Sequence, residues 1–436
     1  MNSGITLEDF GFQLRKYRKR IGLSQTALSG LSTVSVRAVR NLEQGQVLIP
    51  RRDTVRLLAD ALRLTAQERV AFEKAAGSEA GDALFDTLTM PPTAVARPLH
   101  GRHGELQALL RHVVDGHQRI TAITGFAGVG KTRLALALAA ELQSVRDVPT
   151  LWVPLRRDTG GQGAEARSPA DGPYGSLSGW AAGLVDGGDG TVNRLARLIG
   201  DRLALLVLDG NDAGQVARST MWHLLAECPN LRILETARSP QGAPEDHYLP
   251  LGPLATPPPG ASPAGTASAP AMTLLLDLLA ELQPGFRADE AELPILAELC
   301  RRLDGLPRAL EAAAAWLTIV SADRLVVMAR DEPQLIADRP GESGDALATI
   351  RESVTGQPAD SLDLLLHLAD YAEPWTVERI VTRIGVPWKQ AASAVHAFLQ
   401  CGLIVKVSPG SGALVQFTVL NLVRAFLQTA RPAAAG

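Results

Sequence analysis

The sequence predicts a multidomain chain. An all-α helix-turn-helix unit leads, an α/β body on a parallel sheet follows, and a helical bundle and a winged-helix piece close it. Three observations carry this expectation. A glycine loop, Gly125-Phe126-Ala127-Gly128-Val129-Gly130-Lys131-Thr132, stands between an apolar strand and a helical stretch. Short amphipathic stretches separated by a tight turn fill residues 6–77. A hairpin pattern over 402–419 follows three helical stretches near the C-terminus. At 436 residues the chain is also too long for one core.

Composition narrows the class. Hydrophobic residues make up 46% and charged residues 20%, as in water-soluble globular proteins. No apolar run reaches the roughly 20 residues of a membrane span, and residues 1–10 are too polar and acidic for a signal peptide. No membrane partner is expected. Cys228, Cys300 and Cys401 are far apart in apolar surroundings, which fits buried thiols in a reducing cytoplasm. Charge is uneven: residues 1–77 hold 13 Lys+Arg against 7 Asp+Glu, and the remainder holds 30 against 39. A basic front on an acidic body points to a polyanion partner for the front alone. A solvated charged face would give the same count.

In the front unit, Phe10, Leu14, Tyr17 and Ile21 fall at helical spacing among Arg15, Lys16, Arg18, Lys19 and Arg20. Gly22 ends that helix, and Ser24 caps a second over 25–31. A third, 35–44, stops at Gly45; Ala38, Val39 and Leu42 form its inner stripe and leave Val36, Arg37 and Arg40 outward. Asp53 and Thr65 cap two more, over 54–62 and 66–76. Five short helices with a tight turn between the second and third follow the helix-turn-helix plan. The stretch from Leu14 to Gly45 resembles the Xre, or lambda-repressor-like, DNA-binding domains, with the Leu23-Ser24-Gln25 start and the Leu42-Glu43-x-Gly45 end both in place. The resemblance implies that Ser35 to Asn41 enter a major groove of double-stranded DNA. Arg37 and Arg40 would then reach guanine edges, and Gln25 and Ser35 would reach phosphate or base. Val36 stands in a slot often polar in that family, which implies contact with a thymine methyl. A protein-binding helical module is the alternative use of the same surface.

Residues 78–98 carry Gly81, Pro91, Pro92 and Pro98 without a sustained period and read as a linker. The body, residues 99–255, is built around the glycine loop. Its pattern, G-x-x-x-x-G-K-[ST], is that of a P-loop NTPase. Gly125, Gly128 and Gly130 let backbone amides turn inward, and with Val129 and the helix start at Arg133 they can hold a β-phosphate. Lys131 supplies a cation for β- and γ-phosphates, and Thr132 a hydroxyl for Mg²⁺. Residues 149–155 read as the next strand, 160–172 as a mobile Gly/Ala/Asp-rich loop, and 177–184 and 192–201 as helices. The run Leu203-Ala204-Leu205-Leu206-Val207-Leu208 ends in Asp209. That is a buried strand delivering a carboxylate to the sheet edge, as a second Mg²⁺ ligand or as a plain turn residue. After a further helix, 218–227, strand 231–235 leads into Thr236-Ala237-Arg238, whose guanidinium can reach a γ-phosphate or form a salt bridge. Residues 247–251 read as one more strand.

Residues 256–350 read as a helical domain with a flexible insertion, 255–270, at its start. Helices are expected at 271–282, 291–303 and 307–320, the last opened by Pro307 after Gly305. Residues 351–436 read as a winged-helix domain: helices 361–371, 377–384 and 388–399, a hairpin with its turn at 409–412, and helix 422–430.

Taken together, Gly101-Arg102, the P-loop, Asp209, Thr236-Ala237-Arg238 and Gly305-Leu306-Pro307-Arg308-Ala309-Leu310 resemble the NB-ARC ATPases of the STAND signalling class, in that family's order over residues 97–430. The resemblance implies that Gly101 and Arg102 border adenine and ribose, that Pro307 packs on adenine, that Arg238 senses the γ-phosphate, and that the winged helix is a regulatory lid. It implies ATP/ADP with Mg²⁺ as cofactors. Its functional consequence is a cytoplasmic transcription regulator, closed with ADP and opening or self-associating with ATP or with a signal ligand or sensor partner. Two departures are visible. Gly210 and Asn211 follow Asp209 where the family has a second acid, so ATP hydrolysis is expected to be slow or absent. Val419-Leu420-Asn421 replaces the family's Met-His-Asp lid motif. Family relatives continue into tandem helical repeats, so either the chain is a shortened form or its sensor lies elsewhere. Two rivals share these residues: an ATP-driven immune sensor whose helix-turn-helix is a protein adaptor, and a static scaffold holding ADP permanently.

Overall fold

The computed structural model describes residues 9–43, 50, 52–76, 85, 98–116, 118–155, 184–187, 189–240, 247–341, 345–407 and 414–430. The expected helix stop at Gly45, the loop over 160–172 and the hairpin turn at 409–412 lie outside these residues. So do the linker, except Phe85 and Pro98, and the helix over 177–184, except Leu184. The chain separates into two compact units. One comprises 1–93, 142–207 and 215–233; the other comprises 94–141, 208–214 and 234–436.

The first unit opens with α1 (Asp9–Arg20), α2 (Gln25–Ser32), α3 (Val36–Glu43), α4 (Arg52–Ala61) and α5 (Ala66–Ala75). Phe10, Leu14, Leu28, Val39, Leu42, Leu58, Leu62 and Phe72 form its core. Three of the helix starts are capped by side chains, whereas Asp53, expected as a cap, lies inside the first turn of α4 because that helix begins at Arg52. Ser24 Oγ accepts from the Ala27 amide at 3.0 Å, and Ser35 Oγ accepts from Ala38 at 3.2 Å. Thr65 and Glu68 form a reciprocal capping box. The turn between α2 and α3 is made by Thr33 at φ 57°. Ile21, expected inward, is 39% exposed because α1 ends one residue before it.

One ion pair ties the first three helices. Arg18 Nε and Nη2 donate to Glu43 at 2.5 and 2.8 Å, Gln25 Nε2 donates to the same carboxylate at 2.8 Å, and Arg18 Nη1 donates to the Leu23 carbonyl. Burial alone would raise the Glu43 carboxyl, but the bonds from Arg18 and Gln25 outweigh it and hold the group below its ordinary value.

The sheet body follows. It comprises α6 (His103–Asp115), β1 (Ile120–Thr124), α7 (Lys131–Arg146), β2 (Thr150–Pro154), α8 (Asp189–Ile199), β3 (Ala204–Asp209), α9 (Arg218–Glu227), β4 (Leu231–Ala237) and β5 (His247–Pro250). The parallel sheet has the order β2-β3-β4-β1-β5, with Thr121 opposite His247 and Thr124 opposite Pro250. Every residue of β1 and β3 is buried, the signature of strands covered on both faces. This order sets the end of β4 between the end of β3 and the loop leaving β1.

In the second unit, 255–270 is not a flexible insertion. Ser262 caps α10 (Pro263–Ser268), its Oγ accepting from Gly265, and Thr266 is buried. Composition there describes a helix start with proline at its first position, and the rest is small residues that pack. Then come α11 (Pro270–Leu282), α12 (Glu292–Arg302), α13 (Pro307–Trp316), α14 (Ala322–Asp331) and α15 (Asp345–Thr355). The last two had no counterpart in the expectations, and the boundary expected after residue 350 falls inside α15.

The C-terminal piece has α16 (Ala359–Ala369), α17 (Val377–Ile384), α18 (Trp388–Cys401), β6 (Ile404–Val407), β7 (Gln416–Val419) and α19 (Asn421–Ala430). The two strands pair antiparallel, Ile404 opposite Val419. Trp375 extends them through two backbone bonds to Phe417. The first turn of α19 sits on the corner before α13: the Leu422 amide donates to Asp304 Oδ2 at 3.3 Å, and Asn421 Nδ2 to the Arg301 carbonyl at 3.2 Å. Desolvation pushes the Asp304 carboxyl up to about 7, against the amides of Leu422 and Asn421 and the charge of Arg424. All three cysteines are buried thiols. Among the described residues no helix is long and apolar enough to cross a membrane.

Removing one partner of a mostly buried pair leaves the other uncompensated. Arg18→Ala should therefore destabilise residues 9–76 by about 3 kcal/mol at pH 7, read by hydrogen exchange on the full chain. Glu43 has a depressed folded pKa, so its contribution is present above its ordinary value of 4.5 and is lost as pH falls below it. The difference between wild type and variant should shrink accordingly at low pH.

Candidate functional site

The loop after β1 has the backbone its glycines permit: φ is 141° at Gly125, 76° at Gly128 and 103° at Gly130. Lys131, only 4% exposed, spans the loop and donates Nζ to the carbonyls of Gly125 and Phe126 at 2.7 and 3.1 Å. Val129 is buried, and Arg133 is half-buried on the first turn of α7. Thr132 Oγ1 donates to Asp209 Oδ1 at 2.8 Å. Thr236 Oγ1 donates to the same oxygen at 2.7 Å and accepts from the Gly210 amide at 2.8 Å. Two hydroxyls and a carboxylate, all hard oxygens, thus gather at the carboxyl edge of the sheet. This donor set suits Mg²⁺, and the glycine loop with Lys131 beside it has the residue pattern of a phosphate-chain site. Sequence reasoning placed Thr132 and Asp209 correctly together. It saw Thr236 only as part of a motif, since nothing local shows that its hydroxyl orients Asp209.

Three distant segments, at 102, 307–308 and 402, brace the loop. Arg102 is buried and donates to the carbonyls of Val129 (3.4 Å) and Gly252 (2.5 Å) and to Glu105 (2.8 Å). Its guanidinium is therefore a strut of the loop, where the resemblance implied a border to ribose. Gly101 lies against Pro270, close enough that a Cβ would meet that ring at 2.5 Å. Pro307 opens α13 with its ring over Gly130, and the Arg308 amide donates to the Gly128 carbonyl at 3.2 Å. A Cβ on Gly128 would strike Arg308 Cβ at 2.7 Å. From the C-terminal piece, Gly402 (φ 68°) meets the backbone of Phe126, where a Cβ would come within 2.6 Å of its nitrogen. Asn421, at the place of the family's lid motif, bonds the Arg301 carbonyl and not the loop.

Arg238 ends β4 as expected, and its guanidinium is held by carboxylates. Asp212 accepts its amide at 2.8 Å and its Nε at 2.9 Å, and Glu352 of α15 accepts Nη1. Burial would lower this guanidinium, but Glu352 and Asp212 more than offset it and raise it above its ordinary value. Asp212, the acid that follows Asp209, is thus occupied with Arg238.

On the first unit, Arg37 and Arg40 are exposed on α3, Val36 and Asn41 are half-buried, and Ser35 is exposed at its cap. Gln25 is turned onto Glu43, so a contact from Gln25 to DNA has to share that amide.

Residues 9–72 match the family described as a helix-turn-helix domain. The chain thus joins a segment that matches a helix-turn-helix model to a five-stranded sheet whose first strand leads into a G-x-x-x-x-G-K-[ST] loop. Proteins of Mycobacterium bovis and Mycobacterium tuberculosis, named as candidate HTH-type transcriptional regulators, are each 33% identical over 205 residues, 47% of this chain and 21% of theirs. This chain therefore spans about a fifth of the length of those regulators. An uncharacterised protein of Mycobacterium tuberculosis is 27% identical over 246 residues, 56% of each chain. Among solved structures, a Walker-type ATPase of Pyrococcus abyssi is similar at 13% identity and TM-score 0.44, over 78% of this chain and 99% of that one. A STAND protein with a tetratricopeptide-repeat sensor from Pyrococcus horikoshii is similar at 16% and 0.29, over 79% and 44%.

The donor set makes separable demands. Lys131→Ala should weaken binding of ADP by about tenfold or more, the cost of one charge-assisted bond. Thr132→Ala and Asp209→Ala should instead abolish the dependence of binding on Mg²⁺, measured by titrating nucleotide with and without the metal.

Proposed function

We propose that this chain is a transcription regulator whose DNA-binding helices are governed by a nucleotide switch. The observation that carries the reading is the contact of Gly402, on the C-terminal helix-and-hairpin piece, with Phe126 of the phosphate loop. A winged-helix lid resting on the loop shares its seat with the nucleotide, so the form of the nucleotide can decide whether the lid stays.

In this reading Gly125, Gly128, Val129, Gly130 and the start of α7 hold the phosphates, with Lys131 as their cation. Thr132 and Asp209 hold Mg²⁺, which when bound neutralises charge between the β- and γ-phosphates. Thr236 orients Asp209, and Pro307 closes the site from the helical side. ADP keeps the lid down; ATP, with a signal ligand or partner, lifts it and permits self-association. A near-complete switch needs about a 10⁴-fold preference between states, more than one arginine supplies, hence the requirement for a signal. Turnover is slow because Asp212 is committed to Arg238 and no second acid follows Asp209. On DNA, α3 lies in the major groove with Arg37 and Arg40 on base edges and Ser35 at the backbone, and Val36 and Asn41 complete the face. Self-association would place two such helices about 34 Å apart, one turn of duplex.

Two measurements test this. Sedimentation of the full chain should give a monomer with ADP and a larger species with a non-hydrolysable ATP analogue plus target duplex selected from a random pool. The same monomer in every condition overturns the switch. On the selected duplex, Arg37→Ala should cost about 1–3 kcal/mol at one base position, whereas a uniform loss across sequences makes Arg37 a phosphate contact.

A further inference from the structure

Arg238 lies between two carboxylates of unequal standing. Asp212 follows β3 and grips Arg238 by both its amide and Nε. Both residues belong to the carboxyl edge of the sheet, so this grip moves with the sheet. Glu352 belongs to α15, outside the sheet, and takes Nη1. Its side chain is 62% exposed against 17% for Asp212. A guanidinium offers five N–H groups in one planar fork, and phosphate oxygens compete for that fork with carboxylates. Asp212 leaves the Nη1 side available and Glu352 fills it. Position makes the competition pertinent: β4 runs between β3, which carries Asp209, and β1, which carries the phosphate loop. The end of β4 therefore looks onto the place where a third phosphate would project from the loop.

We infer that Glu352 is a specificity-determining residue. By occupying the Nη1 side of Arg238 it withholds the cation a γ-phosphate requires, and so biases the site toward a nucleoside diphosphate. Glu352 touches no nucleotide and acts through Arg238, which makes it a positioning residue. The same bond joins α15 to the sheet. A triphosphate that wins Arg238 therefore breaks this tie between α15 and the sheet, and whatever strengthens the tie lowers triphosphate affinity by the same factor. The inference rests on the nucleotide-switch reading and adds to it the residue that sets the preference.

The test is a double-mutant cycle on the full chain, with ADP and a non-hydrolysable ATP analogue titrated in Mg²⁺. Glu352→Gln keeps the shape and removes the charge. It should tighten the triphosphate analogue about two- to fivefold, the range for a partly exposed ion pair, and leave ADP unchanged. Arg238→Ala should weaken the analogue alone, and in that background Glu352→Gln should have no effect on either ligand. An equal change for both nucleotides in Glu352→Gln, or an effect that survives Arg238→Ala, overturns the inference and leaves the switch standing. If the wild-type chain binds neither nucleotide, the switch reading fails and the inference falls with it.

Discussion

The carbonyls of the glycine loop lie among buried residues, and buried carbonyls need donors. That requirement organises the second unit. Gly125 and Phe126 offer their oxygens to Lys131, Gly128 to the amide of Arg308, and Val129 to the guanidinium of Arg102. Each donor comes from a different part of the chain: the loop's own helix, the start of α13, and the turn before α6. Gly402 adds a contact that only a residue without a side chain can make. The loop is thus one point at which the sheet, the helical bundle and the C-terminal piece are fastened together, and its glycines allow that close packing.

The helix-turn-helix unit obeys a similar logic on a smaller scale. Its core is a set of leucines, valines and phenylalanines, but the relative angle of its first three helices is set by Glu43, which receives Arg18 and Gln25 at once. Apolar packing tolerates sliding, whereas a bidentate guanidinium–carboxylate pair does not. The exposed arginines of α3 are therefore presented on a frame whose geometry is held by charge.

Much of this was readable in the residues because the relevant signals are local. Glycine spacing, the lysine and threonine after it, an apolar run ending in Asp209, and caps at Ser24 and Thr65 each occupy a few consecutive positions. What escaped depends on contacts across long separations. Thr236 orients Asp209 from a neighbouring strand, Glu352 reaches Arg238 from beyond the helical bundle, and Arg102 turns to Val129 and Gly252. The stretch 255–270 misled for a different reason. Proline, alanine, glycine and serine describe a flexible segment equally well as a capped helix with small packed residues, and only burial of Thr266 separates the two. Helix α14 carries end signals, Ser321 before it and Pro333 after it, and is absent from the expectations all the same, whereas α15 has no Ser, Thr, Asp or Asn directly before it.

The meeting of Gly402 with Phe126 has a consequence for how the molecule comes into being. During synthesis the phosphate loop leaves the ribosome long before the strand turn that finally leans on it. A nascent chain can therefore possess β1, β3 and the lysine of the loop while still lacking the contact that Gly402 supplies. The packing around the loop is completed only once residue 402 has been made and α18 has formed before it.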